Sequence, residues 1–293
     1  MRLALIGVGL IGGSAAAAFR AAGAVSQVVG FDPDPAAGAQ GKSRGILDRV
    51  AVSVADAVAD AELVLLAVPV GTMQAVLRAV AAAAPPYAIV TDVGSTKASV
   101  IEAARAELSA NSSFSFRRFV PAHPIAGGER PGVAHADANL FRGKRLITTP
   151  QPQTHPDALA RVESLWSAAG AEVVRMTADE HDRIFAAVSH LPHLLSFALV
   201  ARIAARSEGG HLLDFAGAGF RDFTRIAASS PVMWRDIALA NRAALSAELH
   251  GYRQLLEELQ RAVDEADGPG LERVFETASR ARRALSGDES GDE

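Results

Sequence analysis

Short runs of consecutive apolar residues alternate with longer Ala-rich stretches from Leu3 to about Arg175. Strands are expected at residues 3–6, 28–31, 63–68, 89–92, 119–122, 146–149 and 172–175. Several of these runs are apolar without alternation, the pattern of a strand covered on both faces. Between them, residues 11–22, 73–84, 97–108 and 157–169 carry helix formers at helical spacing. Strands joined by helical crossovers run mostly parallel, so the first part of the chain reads as a doubly wound α/β sheet. After Met176 the strand signals stop. Thr177 followed three residues later by Glu180 is a capping-box pattern, and helical character then runs almost to the end. Turns are expected at Gly217-Ala218-Gly219, Ser229-Ser230-Pro231 and Gly268-Pro269-Gly270. The expected organisation is an α/β domain over 1–175, an all-helical domain over 176–285 and a disordered acidic tail over 286–293.

A chain of 293 residues is long enough for two such cores. Hydrophobic residues make up 49% and charged residues 21%, ordinary globular usage. A formal net charge of −4 with no basic cluster gives little attraction to phosphate backbones, so neither nucleic acid nor an anionic membrane is an expected partner. The absence of cysteine excludes disulfides, thiolate chemistry and cysteine-ligated zinc, and fits a cytoplasmic protein. Residues 184–205 are apolar enough to raise the question of a membrane span. Ser189, His190, Pro192, His193 and Arg202 interrupt them, so they read as a buried interface helix. Apolar faces on residues 184–203 and 237–259 exceed what a small helical domain buries against itself, and a homodimer would cover them.

The turn Gly7-Val8-Gly9-Leu10-Ile11-Gly12 lies between the first strand and the first helix. Glycine lets backbone approach a pyrophosphate, and a helix N-terminus presents free N–H groups to it. Asp32 stands 20 residues after Gly12, at the next strand's end, where a carboxylate accepts ribose hydroxyls and repels a 2′-phosphate. A Rossmann-like domain binding NAD in preference to NADP follows. The other reading of Asp32-Pro33-Asp34-Pro35 is a polar turn capping the next helix. Val68-Pro69-Val70 ends a strand and should lie along the dinucleotide. Asp92-Val93-Gly94-Ser95-Thr96-Lys97 has the same topological position, with Ser95 or Thr96 also able to cap the helix that follows. In Phe119-Val120-Pro121-Ala122-His123-Pro124-Ile125-Ala126-Gly127-Gly128-Glu129, His123 is a base suited to neutral pH. A nicotinamide oxidises an alcohol when such a base stands beside the hydroxyl proton.

Together with Ser189-His190-Leu191-Pro192-His193, Phe220-Arg221-Asp222-Phe223-Thr224-Arg225-Ile226-Ala227 and Met233-Trp234-Arg235-Asp236, these blocks resemble, in order and over nearly the whole chain, the prephenate/arogenate dehydrogenase family of tyrosine biosynthesis. The resemblance implies oxidative decarboxylation of prephenate to 4-hydroxyphenylpyruvate, or of arogenate to tyrosine. It implies that His123 takes the ring-hydroxyl proton, that Ser95 orients His123 and the nicotinamide, and that His193 lies near cofactor and substrate. Arg225 is the matched cation for a substrate carboxylate, with Asp222 three residues earlier able to orient it; an ordinary helical ion pair is the plainer alternative. Glu129 joins the polar network at the pocket mouth. Trp234 is either a residue reaching the partner subunit's site or a core aromatic. Candidate cofactor residues are Gly7, Gly9, Leu10, Ile11, Gly12, Asp32, Val68, Pro69 and Ser95. His190 and His193 have metal-compatible spacing, but no third ligand accompanies them, and no metal site is expected.

The chain departs from the family pattern at Glu129-Arg130-Pro131-Gly132, where Glu-x-Ser-Gly is common, and at Gly217-Ala218-Gly219-Phe220, where three glycines are common. A β-hydroxyacid dehydrogenase would favour a catalytic lysine in the helical domain, and no lysine occurs after Lys144. A non-catalytic NAD-sensing module would not need His123, Ser95 and Arg225 together.

Overall fold

A computed structural model describes residues 1–109, 115–128 and 130–286. The elements in chain order are β1 (Arg2–Ile6), α1 (Leu10–Ala21), β2 (Gln27–Phe31), α2 (Pro35–Ser43), β3 (Arg49–Val50), α3 (Val54–Val58), β4 (Leu63–Leu66), α4 (Met73–Ala83), β5 (Ile89–Asp92), α5 (Ala98–Ser109), β6 (Phe119–Val120), β7 (Ala122–Pro124), β8 (Arg145–Thr148), α6 (Pro156–Ala168) and β9 (Glu172–Arg175). From there the chain is helical: α7 (Ala178–Phe185), α8 (Leu191–Ala204), α9 (Gly209–Asp214), α10 (Ala218–Thr224), α11 (Pro231–Ala240), α12 (Arg242–Asp264) and α13 (Gly268–Ser286).

Six strands form one parallel sheet in the order β3-β2-β1-β4-β5-β6. Its unalternating strands are explained by a core on each face. Leu3, Leu5, Leu63 and Leu65 join one apolar cluster, and their neighbours Ala4, Ile6, Val64 and Leu66 join the other. The first cluster holds the fully buried Trp166 of α6, met edge-on by Phe19 at 5.0 Å and Phe141 at 4.9 Å. The strand expected over 119–122 is two pieces. Pro121 has no N–H to give to a ladder, and at that residue the chain leaves the large sheet. The second piece opens a separate three-stranded sheet, β7-β8-β9, in which β7 and β8 are antiparallel and β8 and β9 parallel. The short strand β3 and helices α2 and α3 went unread in the sequence.

The chain divides into two compact units, Met1–Arg242 and Ala243–Glu293. Helices α7 to α11 belong to the first. Thr177 caps α7 by accepting the Glu180 N–H at 3.1 Å, as the capping pattern requires. Helices α7 and α8 are joined through one π-helical turn, Ala186–His190. The continuous stretch Ala178–Ala204 is long and apolar enough to cross a membrane by length and composition. Within the single chain only Leu191 and Ser196 of α8 are buried, so most of this helix expected at an interface is not covered by its own chain. The second unit is made of α12 and α13, joined by a turn with Ala266 at φ 54° and Gly270 N–H donating to Asp267 at 2.9 Å. Leu249, Leu255, Leu256, Val263 and Phe275 are exposed on it. Residues 287–293 of the expected acidic tail lie outside the described residues.

Trp166→Ala, which empties the centre of one core, is expected to lower unfolding stability by about 3–5 kcal/mol. Val52→Ala, at a side chain 87% exposed, should change it by less than about 0.5 kcal/mol. Urea midpoints of equal size for the two would contradict this packing.

Candidate active site

The carboxyl ends of β1, β4 and β5 meet at one edge of the sheet, where the direction of the strand order reverses. Ligands of open α/β sheets bind at such an edge. Gly7 follows β1 at φ 96°, in the left-handed region, and its N–H donates to Phe31 O at 2.9 Å. A Cβ at Gly7 would stand 2.3 Å from Ala67 O, and one at Gly12 would stand 2.4 Å from Gly7 O, so neither position admits a side chain. A Cβ at Gly9 would meet nothing within 4 Å. Gly9 begins α1 without a side-chain cap, so no capping side chain meets the first N–H groups of that helix. These features fit a dinucleotide phosphate at Leu10 and Ile11, the first residues of that helix.

Asp32 holds the turn as well as ending β2. Its carboxylate accepts Val8 N–H at 2.8 Å and Asp34 N–H at 2.9 Å. Capping of α2 falls to Asp34, which accepts Ala36 N–H at 2.9 Å. Val68 and Pro69 continue from β4, and the next turn carries Gly71, where a Cβ would stand 2.4 Å from Asp236 of α11. The loop after β7 returns to the same place: a Cβ on Gly128 would lie 3.2 Å from Leu10. Glu129 lies outside the described residues.

A chain of buried polar groups joins the sheet edge to α7. Asp92, at the end of β5, is fully buried and paired with the equally buried Lys97 ammonium. Lys97 also donates to Ala122 O at 2.6 Å, while Asp92 accepts the N–H of Ala122 at 3.0 Å and of Gly94 at 2.8 Å. The pair clamps the peptide before His123. Burial lowers the Lys97 pKa, and the Asp92 and Asp182 charges oppose that. The next link is Asp182, whose two oxygens accept Lys97 N–H at 2.8 Å and Ala98 N–H at 2.9 Å. A carboxylate from another helix thus meets the free amides at the start of α5, while the Thr96 hydroxyl meets that of Ser99 at 2.8 Å. His181 Nδ1 donates to Asp182 at 2.8 Å, and His181 Nε2 stands 2.8 Å from His123 Nδ1.

His123 is half-buried, with the His181 and Phe185 rings each 5.1 Å from its own. Burial pushes its pKa well below 6.5, and the nearby His181, Lys97 and His190 push the same way. Burial lowers His181 too, against the pull of Asp182. Burial alone would raise Asp182, but the bonds from His181, Lys97 N–H and Ala98 N–H outweigh it and hold the carboxyl below its usual range. His190 is brought down to about 4 by burial, although the Asp182 charge and a bond to the Ser95 backbone favour its charged form. Ser95 itself is half-buried. Asn241 Nδ2 donates to Asp182 O at 2.7 Å and to His190 Nδ1 at 3.1 Å.

His193 donates from Nδ1 to Ser189 O at 2.8 Å and stacks on Trp234, the rings 3.5 Å apart and 19° from parallel. Trp234 is therefore buried against a histidine of its own chain, and its Nε1 has no hydrogen-bond partner among the described residues. Burial lowers the His193 pKa, and Arg225 lowers it further, which places this cation within electrostatic reach of the stack. Arg225 and Asp222 are exposed, one helical turn apart on α10 and the turn after it. No cluster of metal-ligating residues occurs among the described residues.

The residues missed in the sequence are His181, Asp182 and Asn241. A usable signal existed: His181-Asp182 is a polar pair in a helix whose continuation is apolar.

Two family models divide the chain between them. One described as prephenate dehydrogenase, nucleotide-binding domain, matches residues 15–175, and one described as prephenate dehydrogenase, dimerization domain, matches residues 177–277. The chain belongs to the prephenate dehydrogenase family. Among its relatives, a cyclohexadienyl dehydrogenase of Zymomonas mobilis is 35% identical over 98% of this chain and 96% of its own. A prephenate dehydrogenase of A. aeolicus, solved in complex with hydroxyphenyl propionate and NAD+, superposes with a TM-score of 0.87 at 33% identity, covering 97% of this chain and 98% of the other. An arogenate dehydrogenase of Synechocystis superposes with a TM-score of 0.78 at 28% identity, covering 97% and 100%. The nucleotide-binding model covers β2 to β9, and the polar cluster from Asp92 to Asp182 spans both matched regions.

The neutral histidines of this cluster have a cost in acid. His190 is 1% exposed, and its pKa falls from 6.5 in the unfolded chain to about 4 in the folded one. Between those values the unfolded chain binds a proton that the folded chain does not. Stability is therefore complete above pH 6.5 and declines as pH drops toward 4, by on the order of 3 kcal/mol from this residue. Urea midpoints taken between pH 7.5 and 4.5 should show the decline, and His190→Asn should flatten it. An unchanged slope in that variant would contradict the assignment.

Proposed function

We propose that this protein catalyses the NAD-dependent oxidative decarboxylation of prephenate to 4-hydroxyphenylpyruvate, a step toward tyrosine, in the cytoplasm. The observation that carries the reading is a half-buried His123, bonded to a buried histidine, on a segment whose Gly128 returns to Leu10 of the glycine turn. The A. aeolicus relative, with NAD+ and a hydroxyphenyl acid bound, supports both ligands.

NAD, when bound, supplies the acceptor for the hydride that leaves the ring carbon bearing the hydroxyl. Gly7, Gly9, Leu10, Ile11 and Gly12 hold its pyrophosphate, Asp32 its adenosine ribose, and Val68 and Pro69 its flank. His123 hydrogen-bonds the substrate hydroxyl and takes its proton while that carbon becomes a carbonyl. The bond to the ring carboxylate then breaks, carbon dioxide leaves with neither electron of that bond, and the electron pair completes the aromatic ring. Because burial holds His123 neutral above mildly acidic pH, it is ready to accept that proton at pH 7. Ser95 orients His123 and the nicotinamide. Arg225 grips a substrate carboxylate, Asp222 steadies the guanidinium, and Glu129 adds a carboxylate to substrate recognition. The His193–Trp234 stack forms a wall beside them. The prephenate and arogenate side chains differ by a keto group against an ammonium, so relatives named for each leave arogenate as the second substrate to assay.

The dimerization-domain match and the exposed apolar residues of α12 and α13 support a homodimer. Sedimentation at micromolar concentration should give twice the mass of the 30.5 kDa chain, and a compact monomer would remove this part of the proposal.

Purified protein with NAD should form NADH when given prephenate or arogenate. His123→Asn should lower kcat by about 10²–10⁴-fold with NAD binding kept. Intact NAD binding without turnover of either substrate would point instead to another acid or a sensing role.

A further inference from the structure

The polar chain behind His123 has a direction. Asp182 carries two backbone N–H bonds on its oxygens, and its carboxylate is a pure acceptor, so the His181 nitrogen facing it must carry the hydrogen. A neutral imidazole holds one N–H. With that hydrogen on Nδ1, His181 Nε2 is bare, and the atom 2.8 Å away, His123 Nδ1, must be the donor. His123 is then left with a bare Nε2, the lone pair a general base needs. We propose that Asp182 and His181 are positioning residues that fix the tautomer and ring orientation of His123, so that Nε2 is always the proton acceptor.

The proposal rests on His123 being the base of the reaction above. In the proton step the substrate O–H bond breaks and the hydrogen goes to His123 Nε2. The imidazolium keeps its Nδ1–H bond to His181, and the positive charge is drawn toward Asp182 through the two rings. The proton passes to water when product leaves, restoring the starting tautomer. No covalent change occurs at His181 or Asp182.

One carboxylate also sets two parts of the site against each other. Its bonds to Lys97 N–H and Ala98 N–H fix the end of the turn that carries Ser95, and its bond to His181 fixes His123. Among the described residues, the charged and titratable groups acting on His123 are His181, Lys97 and His190, of which His181 is bonded to its ring.

The test uses the full-length protein with 15N-labelled histidine. Long-range 1H–15N spectra at pH 7.5, assigned with His123→Asn and His181→Phe, should show both rings neutral with hydrogen on Nδ1. An Nε2–H form of either ring in the wild type would overturn the proposal. In kinetics with prephenate and NAD, His181→Phe should lower kcat on the order of a hundredfold with little change in KM. It should also move the acidic limb of the pH profile downward, because the acceptor that stabilises the His123 imidazolium through its Nδ1–H is gone. His181→Gln, whose amide oxygen can accept the Nδ1–H, should recover most of the rate. A His181→Phe enzyme with wild-type kcat and pH profile would overturn the proposal. Should the wild type not turn over at all, the proposed reaction fails, while the spectra still decide the tautomers. They decide it too if His181→Phe does not fold, with His181→Gln then providing the assignment.

Discussion

The buried carboxylate of Asp182 is the interaction on which the site depends. An isolated carboxylate in a protein interior would take a proton sooner than stay charged. This one stays ionised because three donors converge on it: two amides at the head of α5 and the Nδ1–H of His181. Each donor gains as well. The α5 amides are orphans of a helix start that no local side chain meets, and the histidine has its ring fixed. Removing any member leaves a buried group unpaired, which is why such networks are more costly to break than to keep.

A second buried pair performs the same service one strand away. Asp92 and Lys97 neutralise each other and spend their remaining bonds on the peptide groups of Gly94 and Ala122. Lys97 thus belongs to both halves, its side chain to Asp92 and its amide to Asp182. The peptide before His123 and the helix behind Ser95 are held through one residue. Neighbouring charges of opposite sign in a dry interior act as a rigid bracket, since rotation of either side chain would expose a charge to apolar surroundings.

Much of this was legible in the sequence, for physical reasons. Unalternating strands at residues 63–66 and 89–92 announce a sheet with a core on both faces, and the glycines of the first turn announce a tight turn in which Gly7 and Gly12 have no room for a Cβ. What could not be read was long-range. His181 and Asp182 lie 58 and 85 residues from the groups they serve, His123 and Lys97, and nothing in their local spacing names those partners. The capping rule failed at α5 for the same reason: Ser95 and Thr96 were the local candidates, and a distant carboxylate took the place. The break at Pro121 was written in the chain, but a single proline inside an apolar run is easily taken for an edge rather than for a change of sheet.

The depressed pKa of His123 sets a compromise between availability and strength. A base whose conjugate acid is weakly held is free at neutral pH, yet it draws a proton with less force than an unperturbed histidine. In the proposed reaction the shortfall is small. The hydroxyl becomes more acidic as its carbon gives up a hydride, and loss of carbon dioxide with formation of an aromatic ring makes the sequence irreversible. A neutral cluster is also less costly to bury than a charged one would be. Histidinium at 123, 181 and 190 together would repel one another across a few ångströms, and neutral rings avoid that cost. The histidines can then act as shaped donors and acceptors, and fixed tautomers matter more than charge.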